Sequence, residues 1–211
     1  MRMVNRISGI ATVAIAMLAA APVWGNVLVN PGFESPDASA GDQYALVGTS
    51  GWNGFNGAYI TQTTKESGLQ SFKAFGSPGG AFQDFAASAG QVWQGSVSSE
   101  NFSADPLIGQ QGTFINIEWH DSGGNVISFL STPIANSTSP TDTWLPGTVS
   151  GTAPAGTTTA RLVLLSGPYT GIGTGAGGAG FFDNASFSVV PEPAALSLLA
   201  VAGLLSLRRQ R

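Results

Sequence analysis

The chain contains no cysteine and a single histidine among its 211 residues. Disulfide bonds and cysteine-ligated metals are therefore excluded, and so is a histidine-rich metal site. Charged residues are scarce, at 9%, whereas glycine is abundant, with 29 residues. Between Asn26 and Val189 no stretch of useful length shows helical periodicity. These features favour an all-β domain with many turns, and the regularly spaced aromatic residues argue against disorder.

Basic residues are also few in the body of the chain. Between Asn26 and Val189 there are three basic and eleven acidic residues, a net charge of −8, while the other basic residues lie at the two ends. A body of this charge repels nucleic acid, so no nucleic-acid partner is expected. Neutral glycans and divalent cations are better suited partners.

A secretory signal peptide is predicted at residues 1–25, with a positive start, an apolar centre at 9–21 and small or branched residues before the cut. Cleavage by signal peptidase is expected before Asn26. A cut after Ala21 is the alternative, but Pro22 would follow it directly, and proline there is usually rejected. An uncleaved anchor is a further reading, although the segment is short for a membrane span.

The other end of the chain has three parts in a fixed order. Its apolar stretch has 14 residues, which as a helix would cover about 21 Å of a hydrocarbon core roughly 30 Å thick. The basic residues that follow it should stay cytoplasmic, which puts the body outside. In order, the parts are Pro191, Glu192 and Pro193, then the short transmembrane helix at 194–207, then a basic tail with Arg208 and Arg209.

Residues 190–211 resemble the PEP-CTERM sorting signal. In that family a membrane-embedded exosortase is thought to cleave near the Pro-Glu-Pro triplet and so to release the protein or attach it to surface polymer. The resemblance therefore implies a Gram-negative host that makes exopolysaccharide, an inner-membrane intermediate, and a final location at the cell surface or in the extracellular matrix. An ordinary C-terminal anchor is the alternative, but it would usually be longer and would not need the triplet.

The body shows short alternating runs separated by turn-forming residues, the pattern of an antiparallel β-sandwich. In the run 113–120, Ile115, Ile117 and Trp119 share one face, whereas Asn116, Glu118 and His120 share the other. A turn at 121–125 then leads into a second strand, Val126 to Leu130. A central strand is predicted at Ala160 to Leu165. The last strand, Phe181 to Val189, is predicted to place Phe181, Asp183, Ala185, Phe187 and Val189 on one face.

The opening Asn30-Pro31-Gly32-Phe33-Glu34 and the closing Phe182-Asp183 carry a second resemblance. Residues 26–189 resemble the galactose-binding-like β-jelly-roll, near carbohydrate-binding module families 4 and 9. The expected architecture is one jelly-roll domain, flanked by an N-terminal signal helix and the short C-terminal transmembrane helix.

A structural Ca²⁺ site is implied by the same resemblance. Ca²⁺ takes about six to eight oxygen ligands, and such modules commonly bind one ion where the first and last strands meet. By position, Glu34 and Asp183 would supply carboxylates, completed by carbonyls near Gly32 and at 65–67. Asn184 stands where the family has a second Asp. The alternative is that Glu34 caps a turn and Asp183 bonds to the backbone.

A glycan platform is the second candidate site, because sugar rings stack on aromatic side chains while polar groups fix their orientation. Candidate residues are the aromatics around a Gly/Asn-rich stretch and two polar residues on the outward face of a strand. They are Tyr44, Trp52, Phe55 and Tyr59, together with Glu118 and His120. Trp52 has a competing interpretation as a core residue, and core positions are favoured for Trp93, Trp119 and Trp144.

Catalysis has little support in the sequence. His120 has no local serine-elbow motif to work with, and nothing singles out two of the acidic residues as a glycosidase pair. The leading hypothesis is a non-catalytic, exported surface or matrix protein that binds exopolysaccharide. A purely structural matrix component is the alternative, and a polysaccharide-active enzyme is the third reading.

Overall fold

The computed structural model describes residues 25–39, 41, 43–44, 50–168 and 177–191, with backbone alone for 43–44. They belong to one compact unit, Val23–Glu192. Nearly all of the predicted signal and sorting segments lies outside the described residues, including Glu192, Pro193, Arg208 and Arg209, so both segments and the domain limits stay predictions. Among the residues that are described, no helix has the length and hydropathy needed to cross a bilayer.

The described part of the chain folds into β-strands that pair in antiparallel fashion throughout. Their bounds are β1 Gln43–Tyr44, β2 Asn53–Thr61, β3 Ser71–Ala86, β4 Val92–Asn101, β5 Gln111–His120, β6 Val126–Asn136, β7 Trp144–Thr152, β8 Thr159–Pro168 and β9 Ala179–Val190.

The long strand β3 belongs to both layers of a sandwich. Its first half, up to Phe75, pairs with β9, whereas its second half, from Gly79, pairs with β8. Strand β2 runs beside both halves. The front sheet therefore has the order β2–β3–β8–β5–β6, and the back sheet has the order β2–β3–β9–β4–β7. This arrangement confirms the predicted antiparallel jelly-roll sandwich.

The core lies between the two sheets. Ile115, Ile117 and Trp119 of β5 are buried there, as their alternation predicted. The predicted turn and return strand are present as residues 121–125 and β6, and β8 lies centrally between β5 and β3. Burial of large apolar side chains at about 1.5–3 kcal/mol each is the main force holding the sheets together.

Strand β9 departs from the predicted alternation. Asn184 has a φ of +54°, and the register against β4 shifts there, so β9 carries an extra residue between Asp183 and Ser186. Such a bulge reverses which face the following side chains occupy. Phe182 and Phe187 both reach the core. The prediction that Phe181, Asp183, Ala185, Phe187 and Val189 share one face is therefore wrong.

The predicted core positions of the tryptophans are confirmed in two cases and corrected in one. Trp93 and Trp119 are buried, at 3% and 2% exposure, which confirms them as core residues. Trp144 is partly exposed at the start of β7, an edge strand of the back sheet, so its core assignment is corrected. An edge strand has a neighbour on one side alone, and its first residue has less of the sandwich around it.

Candidate functional site

The outward face of the front sheet carries transverse rows of side chains. One row crosses four strands in direct register: Asp84 on β3, Arg161 on β8, Glu118 on β5 and Phe129 on β6. Residues that pair directly in antiparallel strands point to the same face and lie within contact distance. Groups that are far apart in the sequence are thereby aligned along one line across the sheet.

A second row lies two residues further along each strand. It is formed by Phe82, Val163, Asn116 and Ser131. Because side chains alternate along a strand, this row shares the face of the Asp84–Arg161–Glu118 row. The two rows together bring an aromatic ring, an apolar floor and several hydrogen-bonding groups onto one surface.

Arg161 is held rigidly at the junction of the rows. Its Nε and Nη2 donate to the two carboxylate oxygens of Asp84, at 2.6 and 2.9 Å. Its guanidinium carbon lies 3.8 Å from the ring centroid of Phe82, a close cation–π arrangement. The hydrogen bonds with Asp84 raise the pKa of Arg161 above its usual value. Arg161 Nη1 lies 4.0 Å from Glu118 Oε2, which places a donor beside an acceptor.

Glu118 is oriented by His120, and the two lie on the face where the alternation placed them. His120 Nε2 lies 3.1 Å from Glu118 Oε2, and its Nδ1 lies 3.1 Å from the carbonyl oxygen of Gly124. His120 is 5% exposed, whereas the Glu118 side chain is 24% exposed. Glu118 therefore reaches the surface, and His120 supports it from behind.

A groove of about 380 Å³ opens beside these residues. Its walls include Phe55 and Phe82, whose ring centroids are 6.5 Å apart with the planes tilted by 37°. Val163 and Leu165 of the central strand also line it. Gly80 allows β8 and Phe55 to lie close to β3, since a Cβ there would clash with the Leu164 carbonyl oxygen and lie 2.8 Å from the Phe55 ring.

One buried acceptor on this face has no partner among the described residues. Asn116 is 7% exposed, and its Oδ1 makes no hydrogen bond within that part of the chain. Leaving a buried polar group unsatisfied costs about 1–3 kcal/mol. Asn116 pairs in register with Val163, which lines the groove. Asn116 itself does not line the groove, and its Oδ1 has almost no surface open to solvent.

Of the predicted aromatic ligands, Phe55 lines the groove, whereas Trp52 and Tyr59 lie elsewhere. Trp52 is fully buried, its ring is 5.1 Å from that of Phe33, and its indole N–H donates to the Asn30 carbonyl at 3.0 Å. A ring without exposed surface cannot stack on a sugar, so the assignment of Trp52 to the ligand site is corrected, and it belongs to the core.

Tyr59 lies on the outward face of the back sheet, because its neighbours Ala58 and Ile60 are in the core. Its ring stacks on Phe75 at 5.4 Å with an interplanar angle of 6°. Tyr44 pairs with Tyr59 through its backbone, and its side chain lies outside the described residues. The structure therefore separates Tyr59 from Glu118 and His120 by the thickness of the sandwich.

The predicted metal residues do meet, around the loop 65–70. Asp183 accepts hydrogen bonds from the backbone N–H groups of Glu66 and Ser67, both at 3.0 Å. Glu34 accepts from the N–H groups of Leu69 and Gln70, at 2.9 and 3.3 Å. Both carboxylates thus bond to the backbone, as the alternative interpretation expected.

Asp183 is fully buried, and this burial raises its pKa, helped by the nearby Glu66 carboxylate. A Cβ added to Gly32 would lie 3.8 Å from Glu34 Cγ and 4.0 Å from Asp183 Oδ1, so the backbone of Gly32 passes close to both acids. Within the described ranges, no group of three or more His, Cys, Asp or Glu side chains is arranged to hold a metal ion.

Several groove residues were not identified from the sequence as ligand-site candidates. Arg161 is the one charged residue in the otherwise apolar run Ala160 to Leu165, and this was the signal that could have found it. A charge in such a position needs a partner or a function. Phe82, Val163 and Leu165 carry no comparable local signal, because their meeting depends on strand register.

Carbohydrate-binding modules are among the solved structures with a similar fold. One is the family 22 xylan-binding domain of Xyn10C from Paenibacillus barcinonensis, with a TM-score of 0.52 and 16% identity, covering 82% of this chain and 99% of that one. A family 16 carbohydrate-binding module matches with a TM-score of 0.50 and 17% identity, covering 77% of this chain and 99% of that one.

An enzyme also contains this fold. An arabinose-bound GH51 α-L-arabinofuranosidase matches with a TM-score of 0.52 and 15% identity over 79% of this chain, which spans 27% of the enzyme's length. No protein-family model and no curated protein matches the chain in sequence. At these identities the likeness establishes a carbohydrate-binding-module-like β-sandwich fold, and the more specific resemblance to families 4 and 9 stays a prediction.

Proposed function

We propose that the protein is a non-catalytic carbohydrate-binding module that binds a neutral polysaccharide chain in the groove on the outward face of the front sheet. The observation that carries this proposal is the placement of the Arg161–Glu118 donor–acceptor pair beside the aromatic wall of Phe55 and Phe82. Ligand sites characteristically combine an apolar surface with a few placed polar groups. Sugar rings present the complementary arrangement, with apolar C–H faces and hydroxyl edges.

Each polar group of the groove has a specific part in this binding. A sugar hydroxyl can accept from Arg161 and donate to Glu118, whose positions are fixed by Asp84 and His120 respectively. Because these anchors are rigid before binding, little side-chain entropy is lost when the sugar is held.

The charges on this face favour a neutral ligand over an acidic one. Arg161 is already paired with Asp84, and Glu118 adds a negative charge beside it. A uronic acid in the groove would meet Glu118 and a body whose net charge is −8 between Asn26 and Val189. Xylan is a reasonable first probe, since the family 22 neighbour is a xylan-binding domain.

The arrangement of carboxylates supports binding rather than hydrolysis. Glycosidases generally use two carboxyl groups that flank the scissile bond. Of the described residues that line the groove, Glu118 alone carries a carboxylate. Asp84, in the same row, is held in a bidentate pair with Arg161 and does not line the groove.

The test is affinity gel electrophoresis of the protein in gels containing xylan, other neutral polysaccharides or uronic-acid polymers. Retardation by a neutral polysaccharide that is lost in a Phe82→Ala variant is expected. Absence of retardation on every polysaccharide would leave a structural matrix role as the better account. Release of reducing sugar that depends on Glu118 would favour an enzyme instead.

We infer from the terminal segments that this module is exported and sorted to the cell surface or matrix by exosortase. The support is the Pro191-Glu192-Pro193 triplet with its apolar and basic sequel, together with the signal-like residues 1–25. The measurement is cell fractionation of the native host with and without its exosortase. Accumulation of an uncleaved membrane form without exosortase is expected, and identical distribution in both strains would refute the assignment.

Calcium binding at Glu34 and Asp183 remains a further proposal. Their carboxylates lie against the same loop and beside Gly32. Asp183 Oδ1 accepts a single N–H bond, from Asn184, and Glu34 Oε2 accepts a single one, from Leu69, so each of these oxygens keeps a second lone pair. Backbone carbonyls would have to supply most of the remaining oxygens. Addition of Ca²⁺ should raise the melting temperature and a chelator should lower it again; equal melting would exclude the site.

A further inference from the structure

An exposed apolar strand forms one edge of the front sheet. Strand β6 lies at the end of the strand order, and among the strands of the described residues it pairs with β5 alone. Residues 126–131 are exposed without interruption, including Val126 at 53%, Phe129 at 61% and Leu130 at 40%. The outer N–H and C=O groups of such an edge are a template for pairing with another chain, and natural proteins usually protect them.

Charge, the commonest protection, is missing here. From Ser122 to Thr141 the sequence contains no charged residue, although Asp121 and Asp142 bracket the segment. Elsewhere the acidic body repels a second copy of itself, but this edge presents no like charge to oppose one. A charged partner would find no complementary group on the strand. The chemistry of the edge therefore favours a partner strand that is itself uncharged and apolar, and β6 of a second copy has that character.

The regular part of the edge is short and bounded at both ends. The register between β5 and β6 shifts at Ile127 and again at Ile134, the two β6 residues that are skipped in the pairing. Pro133, beside the second shift, has no N–H to donate. Bulges bend a strand away from its neighbours and terminate pairing. The segment Ser128–Thr132 is thus left in continuous register, with length for one partner strand. An assembly through it closes as a dimer rather than growing as a fibre.

We propose that two copies of the chain pair through β6 in antiparallel orientation and join their front sheets into one continuous sheet. A two-fold axis that relates antiparallel neighbours stands perpendicular to the sheet. Both front faces then point the same way, with the exposed Phe129 rings near the junction. This contact is isologous, since the same strand is used by both copies.

One consequence rests on the proposed function. The two grooves would lie on the same side of the dimer, so both could engage one polysaccharide surface. Binding at the second groove would then be intramolecular, and affinity for immobilised polymer would exceed that for a short soluble oligosaccharide. Self-association itself does not depend on whether the groove binds sugar.

The test is sedimentation velocity of the full chain in mild detergent over a range of concentrations, with two lysine variants. Ser131→Lys places a positive charge on the exposed part of β6. Gln94→Lys adds the same charge at an exposed position of β4 in the back sheet. Wild type and Gln94→Lys should dimerise alike. Ser131→Lys should weaken dimerisation at least about tenfold, because unpaired and like charges are brought together at the contact.

Circular dichroism establishes whether Ser131→Lys is folded, and Phe129→Lys replaces it if it is not. A wild-type chain that stays monomeric at every concentration would overturn the proposal, as would a folded lysine variant that dimerises as well as wild type. Assemblies that grow beyond the dimer would overturn the closed arrangement. Dimerisation without retardation on any polysaccharide would instead remove the proposed function and leave the β6 contact standing.

Discussion

Removal of the Arg161 side chain should reduce affinity for a neutral polysaccharide far more than it reduces stability. Arg161→Ala removes the two hydrogen bonds to Asp84 and the contact with the Phe82 ring. The cation–π contact contributes about 0.5–1 kcal/mol, and the ion pair contributes no more than about 1 kcal/mol. The contribution of the ion pair is set low because the Asp84 side chain is 40% exposed, so its carboxylate is solvated by water once Arg161 is removed.

The expected loss of stability is therefore about 1–2 kcal/mol. For a chain of this size, that corresponds to a melting temperature lower by about 2–4 °C for each kcal/mol. Affinity should fall by about 10–100-fold, because a hydrogen bond from a charged donor is worth about 1.5–3 kcal/mol. Isothermal titration with xylo-oligosaccharide, or with whichever neutral polysaccharide retards the protein, measures this loss.

Lys73→Ala is the matched control on the opposite face. Lys73 also pairs with an aspartate, Asp105, at 3.2 Å, and its Nζ lies 5.7 Å from the Phe181 ring. Its loss should lower the melting temperature by a similar amount and leave glycan affinity unchanged. Equal losses of affinity in the two variants, or an Arg161→Ala variant that binds as well as wild type, would show that Arg161 does not contact the sugar.

Three further outcomes are expected. Phe82→Ala should abolish detectable retardation by neutral polysaccharide while the protein stays folded, whereas Tyr59→Ala on the back sheet should bind normally; the reverse pattern would move the site to the other face. Trp52→Ala should destabilise the protein by about 3–5 kcal/mol in denaturant unfolding, because a fully buried ring is replaced by a cavity; a loss below about 1 kcal/mol would contradict its core position. Glu100→Gln should raise stability at neutral pH. Burial raises the pKa of Glu100 above its ordinary value of 4.5, so the folded state holds the proton more tightly than the unfolded state does. Wild-type stability should accordingly fall as the pH rises from about 4.5 through the folded-state pKa of Glu100, and the variant should lack this fall. Parallel stability–pH curves for the two proteins would exclude a raised pKa of Glu100 in the folded state.

The alternation of the sequence was sufficient to predict the sandwich and the direction of several side chains. Ile115, Ile117 and Trp119 point inward because a strand presents successive side chains to opposite faces, whatever its neighbours are. The same alternation placed Glu118 and His120 together on the outward face, where they contact each other. These are local properties, and a short stretch of chain determines them.

Alternation failed where the backbone changed its local geometry. The extra residue near Asn184 reverses the faces of β9, and nothing in the alternating pattern of Phe181 to Val189 marks that position. Trp52 was misassigned for a related reason, because a tryptophan in a Gly/Asn-rich stretch has the same composition whether its ring faces solvent or the core. Its contacts with Phe33 and Asn30 come from a separate segment.

The sequence by itself determined an all-β body with an acidic charge and little basic character, because composition and period-two alternation are present in the chain before it folds. It also carries the terminal segments on which the sorting prediction rests. Tertiary structure alone decided which groups meet: Phe82, Arg161 and Glu118 come from three strands and are aligned by interstrand register. Register depends on long-range hydrogen bonds and core packing, so the groove and the exposed edge of β6 became visible when the strands were paired.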